Sequence, residues 1–210
     1  MMPEMDGFTL CQQLKQDIRT SHIPVILLTA KAGQENHITG LNSGADAYII
    51  KPFNIQVLEL QAKNLIAGRA AMRVQFRRQL IDIREPSHQP PDQELPVQLN
   101  PTDQDFLNRL LAFVHEHIDD AEFNVGLLAT KMLVSPPILY KKVKALTDMT
   151  VNDFIKSLRL KKAAELLQKG DMNVSEVAYA VGFNRRKYFS SAFKKAFGKT
   201  PSEYSGKKED

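Results

Sequence analysis

Tryptophan is absent from this chain of 210 residues, and cysteine occurs once, at Cys11. A single cysteine excludes an internal disulfide and fits a reducing compartment, so Cys11 is read as packing. No apolar run approaches the roughly 20 residues that a membrane helix needs. Glu4 and Asp6 precede any apolar stretch, so no secretory leader is expected. Together these absences suggest a cytoplasmic protein. Metal spacing is lacking too: His88 stands among prolines, and His115 and His117, two apart, would face different sides of a helix. No nucleophile is paired with a base and no glycine-rich loop could cradle phosphate. The expectation is therefore no enzyme, no metal and no cofactor.

What is present is positive charge, unevenly placed. Residues 1–100 hold ten Lys and Arg against ten Asp and Glu, whereas Phe123 to Tyr204 hold 15 against 6. The stretch Gly182 to Lys195 concentrates it: a turn opens into a short helix with Tyr188, Phe189, Ala192 and Phe193 on one face. Arg185, Arg186 and Lys187 crowd its first turn, where the helix N-terminus is already partly positive. Three cations at that end suggest a polyanion to meet them, and a recognition helix for the DNA major groove is the leading reading.

The first hundred residues alternate differently. Phe8, Leu10, Cys11, Leu14 and Ile18 form the stripe of a short helix. Ile23 to Thr29 and Ala47 to Ile50 read as buried parallel strands, with a helix from Glu35 to Ser43 between them. Asn54 is placed to cap the long helix that follows.

Met-Met-Pro-Glu-Met-Asp-Gly, Leu-Leu-Thr-Ala, Gly-Ala-Asp-Ala-Tyr and Ile-Lys-Pro-Phe, in this order, resemble the second half of a response-regulator receiver. The resemblance implies an incomplete α/β, flavodoxin-like receiver fragment. It makes Thr29 and Lys51 remnants of the phosphate site, Tyr48 the switch aromatic, and the peptide before Pro52 cis. The family's phosphoacceptor Asp and its metal-holding acids would lie before Met1, so phosphorylation is not expected of this chain as given. The chain is expected to be a piece of a longer regulator. Residues 1–70 alone are expected to fold poorly, or to borrow a partner, because the first strand would show an open edge.

From Ile55 the apolar pattern runs on to Leu80 with interleaved Arg69, Arg73, Arg77 and Arg78. A signalling helix, a homodimer contact and a covered linker all fit this pattern. Glu85 to Pro96, with four prolines, then reads as a semi-extended linker.

The C-terminal part contains a repeat. Phe106, Leu107, Leu110, Leu111, Val114 and Ile118 mark a first helix, opened at Thr102. A short helix around Leu128-Ala129, a turn, and a helix capped by Ser135 with Pro136 at its first position follow. After a long helix from Thr150 to near Gly170, the unit recurs: Ala129 maps to Ala178 at an offset of 49, and Leu139 and Val143 to Phe189 and Phe193 at 50. A repeated helix-turn-helix could enter successive major-groove segments about 34 Å apart.

Leu128-Ala129, Val134-Ser135, Arg159, Leu166-Leu167, Val177-Ala178, Gly182-Phe183, Tyr188-Phe189, Phe193-Lys194-Lys195, Phe197-Gly198 and Thr200 to Tyr204 resemble the AraC/XylS-type DNA-binding domain. The resemblance covers about residues 103–205 and implies an all-α domain with two helix-turn-helix units. Joined to a receiver, it resembles the output end of hybrid two-component regulators. That implies a sequence-specific transcription regulator with double-stranded DNA and a histidine kinase, in the same parent chain, as partners. A phosphoryl-accepting module is the alternative once the receiver is completed.

The expected domains are 1–70, a joint at 71–102, and 103–206. Arg185, Arg186, Lys187, Tyr140 and Lys141 are the expected base contacts. Ser135, Lys142, Lys144, Lys194 and Lys195 are the expected phosphate contacts. Where the family usually caps with Asp or Ser, Arg185 stands, so Asn184 is expected to cap instead. Pro136-Pro137 removes two polar side chains from the first unit. The second unit is therefore expected to read bases, and the first mostly to position.

Overall fold

The computed structural model describes residues 5–30, 43–81 and 99–205. The expected helix after Glu35 and the proline-rich stretch 85–96 with His88 lie outside them. The chain forms two units. Residues up to Val74, with the stretch ending at Asn108, make the first; the second takes up from Gln75 and again from Arg109.

In the first unit α1 (Gly7–Gln16) starts where the Asp6 carboxylate accepts from the Thr9 amide at 2.7 Å. Its stripe is shorter than expected: Leu10 is exposed and Ile18 lies beyond its end. β1 (Ile26–Thr29) and β2 (Ala47–Ile50) pair in parallel, Ile26 opposite Ala47 through Thr29 opposite Ile50. β1 begins three residues later than the apolar run. Pro24 has no amide to donate, and the Val25 amide is taken by Asp46 at 2.8 Å. α2 (Ile55–Ile81) follows a cis Lys51-Pro52 peptide. Asn54 caps it, accepting from the Gln56 amide at 2.8 Å.

A buried polar cluster ties this unit together. Asp46 accepts from Lys15 at 2.5 Å and from Arg69 at 2.7 Å. Arg69 also reaches Asp103 at 3.9 Å and donates to the His22 carbonyl at 2.9 Å. Asp103, fully buried, accepts from the Ser21 hydroxyl at 2.8 Å and from Asn100 at 2.9 Å. Asn100 in turn accepts from the Asp103 amide at 2.9 Å, which opens α3 (Pro101–Glu116) one residue ahead of the expected Thr102.

Burial pushes the Asp46 pKa up, but hydrogen bonds from Lys15, the Val25 amide and Arg69 outweigh it and the net shift is downward. A lowered carboxylate stabilises the fold above its unfolded pKa, about 3.9, and loses that contribution as pH falls through the folded value. Exchange protection of amides 17–25 is therefore expected to hold down to about pH 4 and to fade below it. Fading that began well above that pH would contradict this.

The second unit is helical: α4 (Val125–Lys131), α5 (Pro136–Thr147), α6 (Val151–Lys169), α7 (Val174–Ala180), α8 (Arg186–Phe197) and α9 (Pro201–Ser205). Asn124, Thr150 and Asn173 cap α4, α6 and α7 by accepting from amides in the first turn. Leu160, Ala163, Ala164 and Leu167 of α6 pack with Val177, Ala178, Phe189 and Phe193, all buried. Ala178 is fully buried.

Candidate nucleic-acid interface

α4 and α5 form one helix-turn-helix unit, and α7 and α8 the other. α4 and α7 have seven residues each, and α5 and α8 twelve. The first turn carries Leu133 at φ 57° and the second Gly182 at φ 76°, 49 residues on. Both conformations are left-handed, which glycine adopts without a Cβ penalty. Gly182 has a second reason to lack a side chain. A Cβ there would sit 2.7 Å from the Ile118 carbonyl oxygen and 2.9 Å from the Arg159 guanidinium carbon.

Arg159 holds this turn. It donates to the Gly182 carbonyl at 3.1 Å and to the Asp120 carbonyl at 2.5 Å. Burial pushes its pKa down, with Asp120 and Asp119 opposing. Its Nε is buried and has no partner among the described residues.

α8 is amphipathic as read, with one change. Phe189 and Phe193 are fully buried, but Tyr188 is 57% exposed and rests on Phe183 at 5.9 Å between ring centres. Arg185 is itself the N-cap residue and makes no side-chain capping bond. Asn184 is therefore not the cap, and only Arg186 and Lys187 lie in the first turn. Arg185, Arg186 and Lys187 are all exposed and consecutive at the helix mouth. Lys194 and Lys195 are exposed at its far end. An open cleft beside the mouth brings Lys156, Arg159, Arg185 and Tyr188 together. Lys156 and Tyr188 were not among the expected site residues. Their signal is spatial, since they sit on different helices.

In the first unit Tyr140 and Lys141 are exposed on α5. Ser135 is the N-cap residue, yet its hydroxyl makes no capping bond, contrary to the expected cap. Lys144 is exposed and paired with Asp148 at 2.7 Å. Such a surface pair contributes little and exchanges easily for another anion. Lys142 is a correction. It is fully buried, because it lies on the packed stripe with Leu139, Val143 and Leu146. A buried ammonium cannot meet a phosphate from solvent.

At the receiver end, the Lys51 amide donates to the Thr29 carbonyl at 2.6 Å, so Thr29 and Lys51 stand side by side at the C-terminal ends of the parallel strands. Tyr48 pairs with Leu27 in register and stacks on Phe8 at 6.3 Å. Among the described residues there is no grouping of His, Cys, Asp and Glu suited to a metal. No described helix is long and apolar enough to cross a membrane.

Residues 1–63 match the family model for the response regulator receiver domain, and residues 128–207 that for a helix-turn-helix domain. Residues 1–63 are thus a response-regulator receiver segment, and residues 128–207 an AraC-type helix-turn-helix domain. The AraC-type match begins within α4, at Leu128, and takes in α5 to α9.

Histidine kinase P4 of Formosa agariphila is 38% identical to this chain over 204 residues. That match takes in 97% of this chain, and the chain spans 14% of the kinase's length. Among solved structures, the C-terminal domain of AraT, a response regulator from Geobacillus stearothermophilus, is 30% identical, with 48% of this chain and 84% of that one aligned at a TM-score of 0.46. The DNA-binding domain of AdpA, solved with a target DNA, is 26% identical over 48% of this chain and 89% of that one, at a TM-score of 0.45.

Proposed function

We propose that this chain is the output part of a two-component regulator and binds specific double-stranded DNA through residues 103–206. Its act is binding rather than catalysis, and it works in the cytoplasm. The observation that carries this reading is the exposed run Arg185, Arg186 and Lys187 at the mouth of α8. The inner face of that helix is fixed by fully buried Phe189 and Phe193. Arginine at a recognition-helix N-terminus can pair with a guanine edge, while lysines farther along meet phosphates. Lys144, Lys194 and Lys195, with the Ser135 hydroxyl, are the proposed backbone contacts, and Lys141, expected among the base contacts, joins them. Lys142 is no longer among them.

The kinase that would control this output is proposed to lie in the same parent polypeptide, which the relative from Formosa agariphila supports. The parent would also supply the rest of the receiver. Thr29 and Lys51, adjacent at the strand ends, would then face the phosphoryl group that the completed site accepts.

Selection by the full chain from a random duplex pool tests this. Two enriched half-sites about one helical turn apart are expected. A pool that emerges no different from the input would contradict the reading. Four lysine–phosphate contacts should give a log–log salt slope of roughly −4, and Lys194→Ala should reduce its magnitude by about one. A slope near zero would contradict those contacts.

A further inference from the structure

The two recognition helices superimpose in sequence position but not in chemistry. α5 and α8 have equal length, N-caps at Ser135 and Arg185, and left-handed C-caps at Asp148 and Gly198, so each residue of α5 answers to the one 50 later in α8. The outward face of α5 is Pro136, Pro137, Tyr140, Lys141 and Lys144, all exposed. The same positions of α8 hold Arg186, Lys187, Ser190, Ser191 and Lys194. Where α8 presents two cations in its first turn, α5 presents two prolines and, one turn on, a tyrosine that is 47% exposed.

Proline has no side-chain donor or acceptor and no amide hydrogen. It offers a base edge only methylene groups. The major groove has one apolar feature, the C5 methyl of thymine. The face has cations beside and beyond the apolar group, Lys141 and Lys144 on α5, both exposed. An apolar centre with cationic flanks matches a groove whose floor bears methyls and whose walls bear phosphates.

We propose that α5 reads thymine methyl groups through Pro136, Pro137 and Tyr140, so that the first unit specifies bases and does more than position. The inference rests on the DNA-binding reading above. It implies an operator with unlike halves. One is read by arginine at guanine edges and the other by apolar contact at thymines, their centres one turn apart.

Exchange of thymine for uracil, which removes only the methyl, tests it with the full chain on a duplex it has selected. Each contacted methyl is expected to be worth about fourfold in affinity, the value of one buried methylene-sized group. The loss should occur in the half facing α5 and be absent from the half facing α8. Tyr140→Ala should bind with no thymine–uracil difference at the position it contacts. Tyr140 is exposed, so folding should be preserved, and an unchanged thermal transition would confirm that. Uracil tolerated at every position of the α5 half, with a selected site still bound, would overturn the proposal and leave reading by α8 standing. So would a Tyr140→Ala chain that binds the selected site as tightly as the parent, which would point to a protein partner for this face. Failure to select any site would overturn both readings.

Discussion

Gly182→Ala should destabilise the second unit by roughly 3 kcal/mol, combining a left-handed residue's strain with a backbone clash. The two contributions come from different observations. The φ of 76° is one that side chains rarely accept. The added Cβ would also lie 2.7 Å from a carbonyl oxygen, a group that cannot turn aside as a flexible side chain would. Relief by moving Arg159 would break its bonds to the Gly182 and Asp120 carbonyls, which hold the turn. Calorimetry of the full chain should show the second unit's transition lowered by about 10 °C or more. DNA binding should fail with it above that temperature. An unchanged transition would mean the turn is not held as described. Leu133, left-handed but 85% exposed, sets the contrast. With open space around it, its strain is the backbone's alone.

Asp46→Ala should cost the first unit roughly 4 kcal/mol, since it leaves buried Lys15 without a carboxylate and Arg69 with only Asp103, at 3.9 Å. Lys15 and Arg69 are each under one-tenth exposed at the side chain, and Asp46 is their shared partner. Adding Lys15→Met to Asp46→Ala should recover part of the loss by removing one of the stranded charges. Exchange protection of amides 17–25 and 99–108 reports the change. If the single variant were as protected as the parent, the cluster would not hold the unit. If the double variant were worse than the single, burial of unpaired charge would be the wrong cause.

This cluster also marks where sequence reading ends. Lys15 and Asp46 are 31 residues apart, and Ser21 and Asp103 are 82 apart. Nothing local to any of them announces the others. The helix-turn-helix repeat was legible because it is carried by apolar spacing within each helix, and the offsets of 49 and 50 recur in the matched turns and helices. The parallel strands were legible from their continuous apolar runs, though the start of β1 was not, since it depends on Asp46 taking the Val25 amide.

Lys142 is a different kind of miss. It stands three residues after Leu139 and four before Leu146, on the packed stripe, so its burial was available in the spacing. Tyr188 erred the other way. It shares the three- and four-residue spacing of its neighbours yet lies outside, because Phe189 and Phe193 fill the contact with α6 and α7. Ser135 holds the expected cap position without a side-chain bond, and Asn184 failed because the helix starts one residue later, with Arg185 as its cap.

The central claim is that the mouth of α8 reads bases rather than merely attracting DNA. Arg186→Ala tests it through two affinities measured side by side with the full chain, one for the selected site and one for random duplex of equal length. The expected result is a loss of discrimination between them of about 1–3 kcal/mol, with affinity for random duplex nearly unchanged. An equal loss on both duplexes would contradict the claim and reduce Arg186 to a phosphate contact.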